Sequence, residues 1–322
     1  MNKTPLENLQ AEGFDSSLLE QVEKFRREFP LPQELAYRVP KPEYFYYGAD
    51  VWRKALAALL AGENLLLTGP KATGKNVLAE NLAALLNRPL WNLSFHLNAD
   101  ASSLIGDDTY DGHAVTFRPG PITLAARSGG FAVMDEINMA KNEAMAVLHS
   151  VLDYRRVIDL PGYDRVDVHP ATRFIATMNY GYAGTRELNE ALCSRFALLE
   201  LPVISQDDLS RLFERVFPRM RKDISGQFQK LFYDLHLKAE HADISDRAVD
   251  LRGLLDAVKL IGRGLTAGEA LEMTVTNKSF DAYERTLIHD VIRARIPEDL
   301  TAAHVFEKEE RTEATECRPN RA

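Results

Sequence analysis

Apolar residues along this chain switch between two periods. Trp52, Ala55, Leu56, Leu59 and Leu60 fall at i, i+3, i+4, i+7 and i+8, the stripe of an amphipathic helix. The run Leu65-Leu66-Leu67 that follows is continuous, as in a strand buried on both faces. Helical spacing returns from Val77 to Leu86, and Leu90 to Phe95 reads as a second strand. Phe131-Ala132-Val133-Met134, Thr172 to Thr177 and Leu198 to Val203 add three more, with a helix predicted from Asn142 to Leu152. Strands that alternate with helices and read as unbroken apolar runs imply a parallel sheet covered on both sides.

Several segments break this rhythm. Residues 1–40 are polar and helix-prone, and the prolines from Pro30 to Pro42 close them off as an extension. Residues 98–118 are rich in Gly and Asp around Ala114-Val115-Thr116-Phe117, which predicts an inserted hairpin. A helix follows from Pro121, because proline suits the first helical turn. A second hairpin is predicted over Val157 to Val168, around Pro161-Gly162. Beyond Gln206 the strand signal ends, and Leu251, Leu254, Leu255, Val258 and Ile261 mark a helical face, with a further helix from Asp281 to Ile296. The tail from Glu307 to Ala322 is charged and expected to be disordered. The expected division is an N-terminal helical extension (1–43), an α/β domain (44–204), a smaller α-helical lid domain (205–298) and a tail (299–322).

Composition narrows the function. At 322 residues and 45% hydrophobic content the chain can bury a large core, and no apolar run reaches the roughly 18 residues of a membrane span. It begins Met-Asn-Lys-Thr-Pro-Leu-Glu-Asn, without the apolar core of a secretory signal, so a cytoplasmic location is expected. Cys193 and Cys317 lie far apart, which fits a reducing compartment and excludes a cysteine zinc site. The eight histidines show no H-E-x-x-H spacing. A net charge of −8 argues against a nucleic-acid backbone as partner. Local basic clusters remain at Arg155-Arg156 and at Arg215, Arg219, Arg221 and Lys222.

The candidate chemistry begins at Gly69-Pro70-Lys71-Ala72-Thr73-Gly74-Lys75-Asn76, a G-x-x-x-x-G-K loop between a strand and the helix that opens toward Val77. A strand that breaks into a glycine turn and opens a helix aims backbone N–H groups and a positive dipole end at one point, as phosphates require. Asp135-Glu136 ends the strand Phe131 to Met134. There the first acid can hold a magnesium ion, and the second can orient or deprotonate an attacking water. Asn179 ends the next strand, where its amide can reach both water and γ-phosphate. Asn76 stands where such loops normally carry Ser or Thr; its side-chain carbonyl is also a hard oxygen ligand, though a longer one.

Loop, Asp-Glu pair, strand-tip Asn and Ser194-Arg195-Phe196, in this order, resemble an AAA+ ATPase, a P-loop three-layer sandwich. The segment Phe117-Arg118-Pro119-Gly120-Pro121, the run Asp135-Glu136-Ile137-Asn138, and Leu188 to Phe196 resemble more narrowly the MoxR and dynein-related branch. The resemblance spans roughly residues 44–296. It implies that Lys75 contacts the β- and γ-phosphates, Asp135 binds Mg2+, Glu136 is the catalytic glutamate, and Asn179 is sensor 1. Arg195 matches the arginine finger that acts on nucleotide held by a neighbouring subunit, with Arg186 as a second candidate. Arg252 suits sensor 2 better than Arg247, and the region of Tyr47-Gly48 resembles the place where adenine is accommodated.

The resemblance also implies function. MoxR-like proteins resemble chaperones that remodel a protein partner, often one with a von Willebrand factor A domain, using ATP and Mg2+ in a homo-oligomeric ring, expected here to be a hexamer. The partner surface is expected from residues 98–118 and 155–168. One alternative is a DNA-acting or restriction-type NTPase motor. Against it, residues 98–118 carry Asp100, Asp107, Asp108 and Asp111 against Arg118 alone, and Asn277-Lys278-Ser279-Phe280 does not complete a guanine-binding N-K-x-D. The other alternative is an assembly module that binds nucleotide with little hydrolysis.

Overall fold

The computed structural model describes residues 4–96, 99–110, 112–140, 145–160, 162–179 and 188–307. Two compact units divide the chain, Met1–Asp208 and Leu209–Ala322.

The first unit is built on a five-stranded sheet whose strands, in chain order, are β1 (Leu65–Thr68), β2 (Leu90–Ser94), β5 (Phe131–Asp135), β8 (Arg173–Thr177) and β9 (Ala197–Glu200). Their spatial order is β2-β5-β8-β1-β9, and every pairing is parallel. The unbroken apolar runs have a direct explanation in the pleat, which sends alternate residues to opposite faces. Leu65, Leu67, Phe131, Val133 and Ile175 join a core on one face, together with α3 (Ala49–Ala61) and α4 (Lys75–Leu85). Leu66, Ala132, Met134, Phe174 and Ala176 join a core on the other, with α6 (Pro121–Ser128). The result is an α/β sandwich of three layers. β9 stops at Glu200, ahead of Pro202, instead of running to Val203.

The N-terminal segment forms α1 (Pro5–Ala11) and α2 (Ser16–Glu28), both with side-chain N-caps, from Thr4 and Asp15. Leu19, Val22 and Phe25 of α2 enter the first core, and Arg26 Nε donates to the Leu85 carbonyl at the end of α4, 2.7 Å away. Both expected hairpins are present. The first pairs β3 (Gly106–Tyr110) with β4 (Val115–Pro119), after a short helix α5 (Ala101–Ile105) that its capping box at Asp100 and Ser103 explains and apolar spacing did not indicate. The second is a minimal ladder, β6 (Val157–Ile158) with β7 (Val166–Asp167). They touch: Tyr163 Oη donates to Asp108 Oδ1 at 2.8 Å, and its ring lies 5.3 Å from that of Phe117. Of the helix expected from Asn142 to Leu152, residues 142–144 lie outside the described residues; Met145 is helical and leads through a 3-10 turn, Ala146–Leu148, into His149–Leu152.

The second unit is helical: Gln206–Val216, which starts just before the unit boundary, then Lys222–Glu240, Leu251–Ile261, Ala267–Thr274, Ala282–Arg295 and Ala302–Val305. Phe228, Phe232, Leu254, Val258, Ile288 and Ile292 are among its buried residues. Within the basic cluster, Arg221 pairs with Asp223 and Arg219 donates to the Glu307 carbonyl. Residues 302–305, within the expected tail, are helical, and Phe306 bridges to Met220. Residues 308–322 lie outside the described residues.

Candidate active site

The site lies where β5, β8 and β1, neighbours in the sheet, end together. This is the carboxyl edge of a parallel sheet, the usual place for ligands. Gly69 leaves β1 at φ +134°, and a Cβ there would stand 2.6 Å from the Leu201 carbonyl oxygen, so no side chain fits. Gly74, at φ +81°, sets the loop into α4 against the ring of the buried Tyr46, whose nearest carbon would be 3.2 Å from an added Cβ. Ala72 holds φ +62° without being glycine. A left-handed alanine costs about 1–2 kcal/mol, a strain characteristic of ligand clamps.

Lys75 is buried, at 8% exposure. Its ammonium turns back on the loop, with Nζ 2.9 Å from the Gly69 carbonyl and 2.7 Å from that of Pro70. Burial lowers its pKa to about 8, against the opposing pull of Asp135 and Glu136. A cation kept in so little water gains strongly from a new anionic partner. Thr73 is buried and donates to the Pro70 carbonyl; Pro70, Lys71 and Asn76 are exposed.

Asp135 ends β5 half-buried. Its Oδ1 accepts from Thr177 Oγ1 at 2.5 Å, and its Oδ2 from Asn76 Nδ2 at 3.0 Å. Glu136 is in the left-handed region, φ +54°, and its backbone N–H donates to the same Thr177 hydroxyl at 3.1 Å. Thr177 therefore fixes both acids at once. Glu136 Oε1 accepts from Asn179 Nδ2 at 3.3 Å, and Asn179 is held in turn by Asn138, whose Nδ2 donates to its carbonyl at 3.1 Å. Lys75, Asn76, Asp135, Glu136 and Asn179 thus converge as the sequence pattern predicts. Thr177 and Tyr46 were missed. The register Leu67↔Thr177, which sets Thr177 beside the loop, is what reveals the first.

Arg195 does not join this group. It lies two residues before Ala197, which pairs with Leu65 at the start of β1, whereas the loop follows the end of β1. At about 3.3 Å per strand residue the two are separated by at least about 13 Å along the sheet. The guanidinium is 23% exposed and contacts the Ala191 carbonyl, the His149 carbonyl at 3.3 Å and Asp153 at 3.8 Å. Asp153 also holds Arg155, whose hydrogen bonds keep its carboxyl below the usual carboxylate range. Arg186 lies outside the described residues. In the second unit, Arg252 is exposed in the first turn of a helix capped by Asp250, while Arg247 lies over the Phe280 ring at 6.0 Å.

Comparison with known proteins gives the chain a family. Residues 64–196 match the AAA domain of the dynein-related subfamily. YojN of Bacillus subtilis, described as uncharacterized, is 30% identical over 271 residues, covering 82% of this chain and 88% of that protein. An uncharacterized protein of Staphylococcus haemolyticus is 33% identical over 258 residues, covering 78% of this chain and 98% of its own length. Among solved structures, a RuvB mutant of Thermotoga maritima aligns with a TM-score of 0.46 and 18% identity, over 80% of this chain and 74% of its own. The chain belongs to one family with these bacterial proteins and carries the dynein-related AAA domain. Among the described residues no helix is long and apolar enough to cross a membrane.

Proposed function

We propose that this protein is an AAA+ ATPase of the MoxR type, whose ring couples ATP binding and hydrolysis to the remodelling or activation of a protein partner. The observation that carries the reading is the convergence of Lys75, Asp135, Glu136 and Asn179 on one sheet edge, with the two acids braced by one hydroxyl. The loop amides of residues 69–77 would receive the phosphates, and Lys75 would exchange two loop carbonyls for β- and γ-phosphate oxygens. Glu136 would accept a proton from the attacking water while Asn179, already hydrogen-bonded to it, positions that water. The donor set fits a hard divalent cation: Asp135 offers a carboxylate, and Asn76 offers an amide oxygen once the amide turns. Held by Asp135 and Asn76, Mg2+ would neutralise charge on the transferring phosphoryl group.

Arg195, remote from the loop of its own chain and half-exposed, would stabilise charge on nucleotide bound to a neighbouring copy, which is the reason for a ring, taken as a hexamer. Arg252 would serve as sensor 2. The acidic, joined hairpins favour a protein partner over nucleic acid, with a von Willebrand factor A domain protein as the candidate and the cytoplasm as the setting. The test is phosphate release from ATP with Mg2+. Glu136→Gln should cut it by about 10²–10⁴-fold, the usual worth of a general base, while ATP still binds. Absence of turnover in the unmutated, assembled protein given candidate partners would refute the enzyme reading.

A further inference from the structure

The bond between Asn76 and Asp135 has a chemical direction. With no cation between them, two oxygens 3.0 Å apart would repel, so the amide must turn its NH2 toward the carboxylate, as it does. Ser or Thr at this place has one oxygen that donates its proton to the acid and still offers lone pairs to a metal. An amide separates these roles onto two atoms. Asn76 can brace Asp135 through nitrogen or ligate a cation through oxygen, but each requires the opposite orientation of the same group. The brace also matters to the nucleotide. Thr177 and Asn76 donate to the two oxygens of Asp135, so the carboxylate that faces incoming phosphates is already hydrogen-bonded on both sides.

The geometry points to nucleotide capture that does not depend on a divalent cation. Asn76 braces Asp135 in the cation's place while ATP binds, and the cation is admitted in a second step that requires the amide to rotate. This rests on the ATP-binding reading above. It predicts that the cost of breaking a hydrogen bond to a charged group, about tenfold in an equilibrium constant, is charged against the metal and not against ATP.

The experiment is ATP binding by calorimetry to the full chain, once with EDTA and once with saturating Mg2+. In the unmutated protein the two dissociation constants should agree within fivefold. In Asn76→Thr, affinity with EDTA should hold while affinity with Mg2+ tightens about tenfold, so that the ratio rises at least fivefold above the unmutated protein's. In Asn76→Ala, which removes the brace, affinity with EDTA should weaken about tenfold. Circular dichroism and melting temperature establish that each variant is folded, and either variant alone is sufficient for the comparison. A ratio of fivefold or more in the unmutated protein, or a folded variant that leaves the ratio unchanged, overturns the inference. Failure to bind ATP in either buffer instead overturns the function on which it rests.

Discussion

At both ends of the central sheet buried cations bind main-chain carbonyls, but those carbonyls differ in how firmly they are held. At the carboxyl end, Lys75 holds two carbonyls of a glycine loop, and Asp135, Glu136, Asn76, Thr177 and Asn179 are paired with one another through side chains. At the amino end, Arg88 and Arg173 are buried, at 1% and 5% exposure, and bind main-chain carbonyls. Arg88 takes those of Phe29, Ser128 and Gly129, and Arg173 those of Leu59, Pro170 and Thr172. Burial, with Arg156 and Arg88 nearby, pulls the Arg173 pKa down to about 10. Carbonyls of helix ends and strand starts cannot move aside, so these guanidiniums are locked. Arg195 shares their end of the sheet but not their environment: it is half-exposed and rests on the short His149–Leu152 and Glu190–Cys193 helices and one carboxylate. Location on the sheet therefore does not decide a cation's role; how firmly its carbonyl partners are held does.

The largest expected effect tests Arg195. Arg195→Ala should lower ATP turnover about 10³-fold, as loss of an arginine finger does, with ATP affinity and melting temperature held. Mixing it with Lys75→Ala should restore some activity if the finger acts in trans, and verified mixed rings without rescue would defeat that assignment. Next comes Arg173→Met, which should do the reverse. It removes a donor from three carbonyls, of which Thr172 keeps Arg156 and Leu59 keeps the Gly62 N–H. About 1–2 kcal/mol of stability and roughly 2–8 °C of melting temperature should therefore be lost, with nucleotide affinity preserved in the folded fraction. A variant that melts normally but has lost turnover would erase the contrast between the two arginines.

The smallest effect concerns pH. Lys75 is charged below about 8 in the free protein, and phosphate would favour the charged form. ATP affinity should then be full at pH 7 and fall on the order of tenfold by pH 9, with proton uptake on binding near pH 8. Calorimetry in buffers of different ionisation enthalpy measures that uptake, and its absence would mean that Lys75 gains no anionic partner.

Much of the carboxyl end could be read directly from the sequence, because its chemistry is contiguous: 69–76, 135–136 and 179 each follow an apolar run. Thr177 could not, since a threonine in a buried strand looks like any β-branched residue until pairing sets it beside Asp135. The amino end was nearly silent. Arg173 reads as one polar residue near the start of the strand from Thr172 to Thr177, and Arg88 as a turn residue before Pro89, because carbonyls that a guanidinium caps leave no mark on residue type. The five strands were legible, but α5 and the Lys222–Glu240 helix were not, since the first is held by its cap and the second has an apolar face interrupted by polar residues.

Asn64 stands just before β1, at 4% exposure, and its Nδ2 donates to the carbonyls of Leu152 and Arg195 at 3.1 and 3.3 Å. At the other end of the same four-residue strand begins the phosphate loop. A short strand buried on both faces behaves as a strut. In a ring assembled as proposed, each subunit would grip its own nucleotide at one end of that strut and answer for its neighbour's at the other. A shift in the loop on losing phosphate would reach the finger without passing through any hinge. Succession around such a ring would need no separate messenger, because the order of firing would be carried by the stiffness of one strand.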